Sequence, residues 1–389
     1  MKITILSTAY PLRGGIAHFN GLLYNELKKS HAVNVITFKR QYPSILFPGK
    51  SQLESGNSIE KIPTEELVDS INPINWIKIG LKIKKDCPDL LIFKYWLPFF
   101  GPCFGTISRF AKKNKKTKVL TICDNVIPHE RKPLDIAFTK YFFNKVDSFI
   151  LLSGKVRDDL IKLYPKVQNK VLPHPIYSNF GNPVEKKEAK TFLKITDNKI
   201  ILFFGFIRDY KGLDVLLEAM SILKEKLNLK LLIAGEFYSN KEKYLNQIEE
   251  LNIKENLLMF TDFIPTSEVK YYFSASDCVI LPYRNATQSG IVQIAMNFRK
   301  PVIATNVGGN PELVKPDLNG YLVESDDHKE LAQKVLVLKR HPELVQKLGE
   351  NALSFSHENF SLKAMVDRYS ELYIKAYQEK VLGSKALLS

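Results

Sequence analysis

Two cations, Arg208 and Lys211, follow the apolar run KIILFFG (199–205) and stand just before a helical pattern opened by Gly212 or Leu213. Beside a helix N-terminus such a pair suits a diphosphate. A guanidinium offers a rigid bidentate fork, an ammonium a mobile point charge, and the helix amides take a remaining oxygen. A second loop, NATQSGIVQIAM (285–296), sets Thr287, Gln288, Ser289 and Gly290 ahead of an apolar helix start. Small polar residues there expose backbone amides to an anion, and they are equally ordinary helix caps. A third, TNVGGNPELV (305–314), puts a glycine pair behind a strand and Pro311 and Glu312 in a first helical turn. Three phosphate- or sugar-compatible loops at equivalent strand ends point to one shared ligand site in the C-terminal half.

The N-terminal half has two loops of interest. In TAYPLRGGIAHFN (8–20), Gly14 and Gly15 precede a helix, so their amides could face an anion; a tight turn explains the pair equally well. The dinucleotide spacing G-x-G-x-x-G is absent. CDNVIPHERKP (123–133) leaves an apolar strand and offers Asp124, Asn125, His129, Glu130 and Arg131. Polar density directly after a buried strand is costly unless paired or wet. Asp124 and His129 are therefore candidates to orient an acceptor hydroxyl or to stabilise charge at a reacting centre. The alternative is a turn built by Asp124 and Asn125, with His129 in solvent.

These loops need strands and helices to hold them, and the periodicity supplies both. ITILST (3–8), VNVITF (33–38), LLIF (90–93), KVLTIC (118–123) and SFILLS (148–153) read as strands in the first half, with a helix through Phe19, Leu22, Leu23 and Leu27. After the linker GNPVEKKEAK, strands are expected at 199–205, 229–235, 256–261, 278–282, 301–305 and 320–324. Helices are expected through Leu213–Leu223, 244–251, 328–339 and 361–377. The stretch 42–73, rich in Pro, Ser, Gly and Asn, reads as an excursion. Continuous apolar strands alternating with helices predict an α/β protein of two doubly wound, Rossmann-like domains with a cleft between them, 1–180 and 181–358, and a closing segment 359–389. A chain of 389 residues with 45% apolar and 25% charged residues is long enough for two such cores.

Charge is uneven. Residues 1–178 hold 28 Lys and Arg against 14 Asp and Glu, a net of +14, and the remainder 28 against 27. A basic face attracts phosphorylated substrates, anionic bilayers or nucleic acid. No recognition-helix pattern, zinc spacing or stacking-aromatic module favours nucleic acid. Lys78, Lys82 and Lys85 fall at helical spacing near Trp76, Ile77, Ile79 and Leu81, and the aromatic stretch YWLPFFGPCF (95–104) follows. Lysines around apolar anchors suit the anionic inner leaflet of a membrane and a lipid-linked acceptor; the other reading is core residues with a solvated lysine edge. No apolar run is long enough to span a bilayer, and the N-terminus reads as a strand, so a cytoplasmic or peripheral inner-membrane location is expected. Four cysteines without ligand or paired spacing fit a reducing compartment. No Asp-x-Asp motif stands at a convincing strand end, and no metal is expected.

The sequence resembles the retaining glycosyltransferases of family 4, also called glycosyl transferases group 1, most specifically over 203–323. The resemblance implies a GT-B architecture in which the N-terminal domain receives a glycan or lipid-linked acceptor and the C-terminal domain holds a nucleoside diphosphate sugar, with no cofactor beyond that donor. It implies that Arg208 and Lys211 contact the diphosphate, and that backbone around Gly235 and near Phe263 and Ile264 borders the base. Thr287, Gln288, Ser289, Gly290 and Ile291 would approach the phosphates and sugar, with Glu312 among the donor-binding residues. Gly14 and Gly15 would lie opposite the donor, Asp124 and His129 near the reacting sugar, and the final helix would cross back to the first domain. Three positions depart from the family pattern. Phe206 stands where relatives commonly have an arginine, and Ala286 and Ile294 stand where many have a glutamate pair, so Gln288, Ser289 or Gln293 would have to supply those hydrogen bonds. The expected reaction is hexosyl transfer with retention, in polysaccharide or glycolipid synthesis. A non-catalytic subunit, or a sugar-phosphate epimerase or synthase on the same fold, are the alternatives.

Overall fold

The computed structural model describes residues 1–43, 52–53, 61–128, 132–175, 180–196, 199–238, 240–287 and 289–360. Among them the chain forms two compact units, 1–175 and 180–359. The expected helix 361–377 lies outside the described residues.

The first unit runs β1 (Lys2–Leu6), α1 (Gly15–Leu27), β2 (Ala32–Arg40), β3 (Glu65–Asp69), α2 (Pro73–Asp86), β4 (Leu90–Tyr95), α3 (Gly101–Ala111), β5 (Lys118–Cys123), α4 (Asp135–Phe143), β6 (Ser148–Leu151), α5 (Gly154–Leu163) and β7 (Asn169–Val171). Its sheet has the order β3-β2-β1-β4-β5-β6-β7, with every pairing parallel. The second unit runs α6 (Lys186–Leu193), β8 (Ile200–Phe204), α7 (Leu213–Leu223), β9 (Lys230–Ala234), α8 (Lys241–Glu250), β10 (Leu257–Phe260), α9 (Val269–Ala275), β11 (Cys278–Leu281), α10 (Gly290–Asn297), β12 (Val302–Thr305), α11 (Asn310–Leu313), β13 (Gly320–Val323), α12 (His328–Arg340) and α13 (Pro342–Asn359). Its parallel sheet has the order β10-β9-β8-β11-β12-β13. Both are doubly wound. The strand order reverses between β1 and β4 in one unit and between β8 and β11 in the other, where such sheets open a crevice beyond their carboxyl ends.

Of the strands read as apolar runs, β4, β6, β11 and β12 are buried on both faces, as parallel strands covered by helices must be, while the edge strand β10 is only half-buried, with Met259 exposed. Two expectations need correction. The stretch 42–73 is not all excursion, because EELVD (65–69) pairs with β2 as the edge strand β3, burying Val68 while its glutamates stay at the rim. Nor is YWLPFFGPCF a surface anchor: Tyr95, Phe100, Cys103 and Phe104 are fully buried, Trp96, Leu97 and Phe99 pack against the same core, and Trp96 lies 4.4 Å from Phe100 ring to ring. Trp76 also turns inward, its indole N–H donating to the Asp69 carbonyl at 2.7 Å, and Ile79 is buried. Aromatic rings bury too much apolar area to remain outside when a sheet face lies within reach.

Candidate active site

In the second unit the crevice residues converge on Gly205. This glycine ends β8 with φ of 100°, and a Cβ built there would meet the Lys211 Nζ at 3.1 Å and the Ile291 Cδ1 at 3.7 Å. The loop after β8 and the start of α10 are therefore neighbours. Arg208 and Lys211 bracket a 3-10 turn, Asp209–Lys211, and Gly212 caps α7 with φ of 67°. A Cβ on Gly212 would lie 1.9 Å from the Pro282 carbonyl oxygen, so only glycine lets this loop close onto the end of β11. Arg284, just past β11, fastens the arrangement. Its guanidinium forks onto Asp214 at 2.8 and 3.0 Å and reaches Asp326 at 2.6 Å, while its backbone N–H donates to the Tyr210 carbonyl at 2.7 Å.

Neither cation of the loop is neutralised. Among the described residues no carboxylate lies within ion-pair distance of Arg208 or Lys211; their near neighbours are the rings of Tyr238 (5.3 Å) and Tyr283 (5.6 Å). Burial, and then repulsion from Arg208, pull the Lys211 ammonium down to a pKa of about 8. Two cations without a carboxylate partner, beside the N-termini of α7 and α10, have the composition and geometry that suit an anion.

The other residues read from the sequence gather around this point to different degrees. Thr287 and Ser289 are buried at the entry to α10, Gly290 begins that helix, and Ile291 touches the Gly205 position. Gln288 lies outside the described residues. Gly235 ends β9 beside β8, its N–H donating to Phe260 at 2.9 Å, and half-buried Phe263 and Ile264 follow β10 on the far side of β9. The glycine pair 308–309 comes close as well: a Cβ on Gly308 would fall 1.4 Å from the Ala286 carbonyl oxygen. Half-buried Glu312 lies in α11 just beyond. Alanine at Gly205 is expected to impose about 1–2 kcal/mol of backbone strain and to push the Lys211 ammonium aside. Thermal unfolding and nucleotide titration should then show a lower Tm and a several-fold weaker affinity.

In the first unit the crevice lies beside β1 and β4. A Cβ on Gly14 or Gly15 would meet nothing within 4 Å, so the start of α1 presents bare backbone, with Gly14 at φ of 107°. His18 on α1 is buried, and desolvation pulls its pKa to about 4, so its imidazole is neutral. Asp124 does not stand in solvent as a turn residue. It is 6% exposed, with Oδ1 2.9 Å from the Lys94 Nζ and 3.4 Å from the His174 Nε2. Lys94, itself 1% exposed, also lies 4.0 Å from the centre of the Phe19 ring, which meets His174 edge-on. Burial pushes the Asp124 carboxyl upward, but Lys94 and His174 together outweigh it and hold it below the usual carboxylate range. Burial lowers His174 and so favours its neutral form. His129 lies outside the described residues. Sequence reasoning missed Lys94 and His174; the available signal was a lysine directly after LLIF in a strand buried on both faces, a position that requires a carboxylate partner.

Residues 184–355 match the sequence model of a family described as Glycosyl transferases group 1. Over 390 residues the chain is 26% identical to the uncharacterized glycosyltransferase MJ1178 of Methanocaldococcus jannaschii, an alignment covering 96% of this chain and 98% of that one. Among solved structures, sucrose-phosphate synthase from Thermosynechococcus elongatus matches with a TM-score of 0.74 at 17% identity, covering 97% of this chain and 100% of the other. Anabaena Alr3699/HepE in complex with UDP-glucose matches with a TM-score of 0.72 at 16% identity, covering 99% and 100%. The two Rossmann-like units, the matched second unit and the full-length relative agree: the chain is a GT-B-fold glycosyltransferase related to the glycosyl transferases group 1 family.

Proposed function

We propose that the second unit binds a nucleoside diphosphate sugar at Arg208 and Lys211 and that the enzyme transfers the sugar, with retention of configuration, to a glycan or lipid-linked acceptor received by the first unit. The observation that carries the donor reading is the pair of cations without a carboxylate partner, set between two helix starts at the β8/β11 switch point. In this reading the diphosphate neutralises Arg208 and Lys211, the α10 start (Thr287, Ser289, Gly290) donates to phosphate or sugar oxygens, and the 235 and 263–264 backbone borders the base.

As the glycosidic bond breaks, the sugar becomes oxocarbenium-like and negative charge grows on the departing phosphate oxygen. Lys211 and the helix amides then bind more tightly than in the ground state, which lowers the barrier. The departing phosphate can accept the acceptor's proton, so no protein base is required. Ala286 and Ile294 carry no polar group, and the sugar contacts fall to the 287–293 segment.

Titration calorimetry with UDP and UDP-glucose, then with other nucleoside diphosphates, tests the reading. Wild type should bind at least one nucleoside diphosphate, and Arg208→Ala should bind it about tenfold more weakly, as loss of one partly solvated charged hydrogen bond predicts. Absence of binding by every nucleoside diphosphate at millimolar concentration, or full affinity in Arg208→Ala, would remove the assignment.

A further inference from the structure

Helix α2 of the first unit has one side fixed and the other, among the described residues, unpartnered. Asn72 caps it by accepting from the Ile74 and Asn75 N–H groups, and Pro73 opens it. Its inner side is held against α3 at Gly80, where a Cβ would lie 2.6 Å from the Phe110 Cβ and 2.9 Å from the Ile107 carbonyl oxygen. That contact sets the rotation of the helix. The outward line is then Ile74, Lys78, Leu81 and Lys85, with Ile71 just ahead of the cap, a 3-4 spacing that keeps all of them on one side. Ile71 is 42%, Ile74 67% and Leu81 43% exposed.

Lysines border this line. Lys78, Lys84 and Lys85 are exposed, and the Asn114 side chain, 3.5 Å from the Lys84 carbonyl, brings exposed Lys113 and Lys116 to the same end of the helix. The nearby carboxylates Glu65 and Asp86 turn to Lys82, at 3.2 and 2.9 Å. Among the described residues none forms an ion pair with Lys78, Lys84, Lys85, Lys113 or Lys116.

We propose that this face, with Ile71, Ile74 and Leu81 as anchors and the five lysines around them, is a docking surface for an anionic lipid bilayer. Aliphatic side chains beside unpaired ammonium groups match the two layers of a membrane interface, acyl chain below and phosphate above. A helix of 14 residues, about 21 Å long, can lie flat in that layer. Nucleic acid fits less well, since the anchors are aliphatic and offer no ring for base stacking. The surface belongs to the first unit and does not depend on the donor assignment.

Flotation of the full-length protein with vesicles of phosphatidylcholine alone, and of phosphatidylcholine with phosphatidylglycerol, tests the proposal. Wild type should partition at least tenfold more strongly onto the anionic vesicles, and raising the salt should weaken that binding. Lys84→Gln/Lys85→Gln should lose about 25-fold, at about fivefold per lysine. Ile74→Asp/Leu81→Gln should lose at least tenfold, and because an acidic residue in the first helical turn is favourable, helix loss is not the cause. Lys187→Gln/Lys226→Gln, an equal charge change on exposed lysines of the second unit, should bind like wild type. Equal, negligible binding of wild type to both vesicle types, with or without binding to an oligonucleotide, would overturn the proposal. So would undiminished binding by either α2 variant. Nucleoside diphosphate affinity, measured on the same variants, should not change.

Discussion

Lys211→Met is expected to weaken nucleoside diphosphate binding by about 10- to 150-fold, the loss of about 1.5–3 kcal/mol for a charge-assisted contact, and to lower turnover further. Methionine keeps the stem and much of the volume, so the loss belongs to the ammonium. The pH dependence gives an independent signature. In the free protein Lys211 holds its proton up to a pKa of about 8. A bound diphosphate favours the charged form and raises that value, so affinity should be flat below pH 8 and fall by about tenfold per unit above it. Lys211→Met should lack this fall. Stability should move the opposite way. The unfolded chain keeps the proton to the ordinary lysine value of 10.5, the folded chain only to about 8, so the folded state is disfavoured by this group below pH 8 and gains stability as pH rises between the two. Lys211→Met should therefore raise the Tm of the free protein at pH 7 while reducing the additional rise that nucleotide produces. Calorimetric titration from pH 6.5 to 9.5 and thermal unfolding of the two proteins check both. An unchanged affinity, or a pH profile that persists in the variant, would place the diphosphate elsewhere.

The loops of this site were legible because their strands were. Runs such as LLIF (90–93) and IILFFG (200–205) carry no polar side chain, and a covered parallel sheet accommodates that pattern, so strand ends and the loops after them could be located from residues alone. The same logic hid β3. Glu65, Glu66 and Asp69 make EELVD look like loop, yet an edge strand needs only one buried side chain, Val68. What periodicity could not supply was pairing across the fold. Nothing in the sequence near 208–212 identifies Arg284 as the residue that ties this loop to Asp214 and Asp326, since those contacts span 70 and 42 residues. Trp76 and the aromatics of 95–104 were ambiguous for a related reason: composition says that they must leave water but not whether core or lipid receives them, and only packing decides. Asp124 was identified as unusual for its place after a buried strand, but its partners, Lys94 and His174, are 30 and 50 positions away.

Those partners give the second large expectation: Lys94→Met should cost about 3–5 kcal/mol of stability, the usual result of removing one member of a buried ion pair. The strand would keep a buried side chain of similar length, while Asp124 would lose its ammonium partner and His174, which burial keeps neutral, would not replace that charge. The sign with pH follows from Asp124. In wild type its folded pKa is below the unfolded value, so it contributes stability above the ordinary carboxylate range, lost as pH falls through the folded pKa. Without Lys94 burial dominates and the folded pKa rises, so the deficit should be largest at neutral pH and shrink as acid protonates the carboxyl. Both tryptophans, Trp76 and Trp96, lie in the first unit, so tryptophan fluorescence during urea unfolding reports this unit alone. The double change Lys94→Met/Asp124→Leu should recover most of the loss, because no charge is then left buried. Turnover separates a structural pair from one that serves the reaction. Asp124 opens the segment that leads to His129, so in Asp124→Asn, which keeps the shape and removes the charge, turnover at saturating donor should fall while nucleoside diphosphate affinity, assigned to the second unit, stays within twofold of wild type. A Lys94→Met protein within about 1 kcal/mol of wild type at pH 7 would mean that water or another cation reaches Asp124, and an Asp124→Asn enzyme with full turnover would confine the pair to the architecture of the first unit.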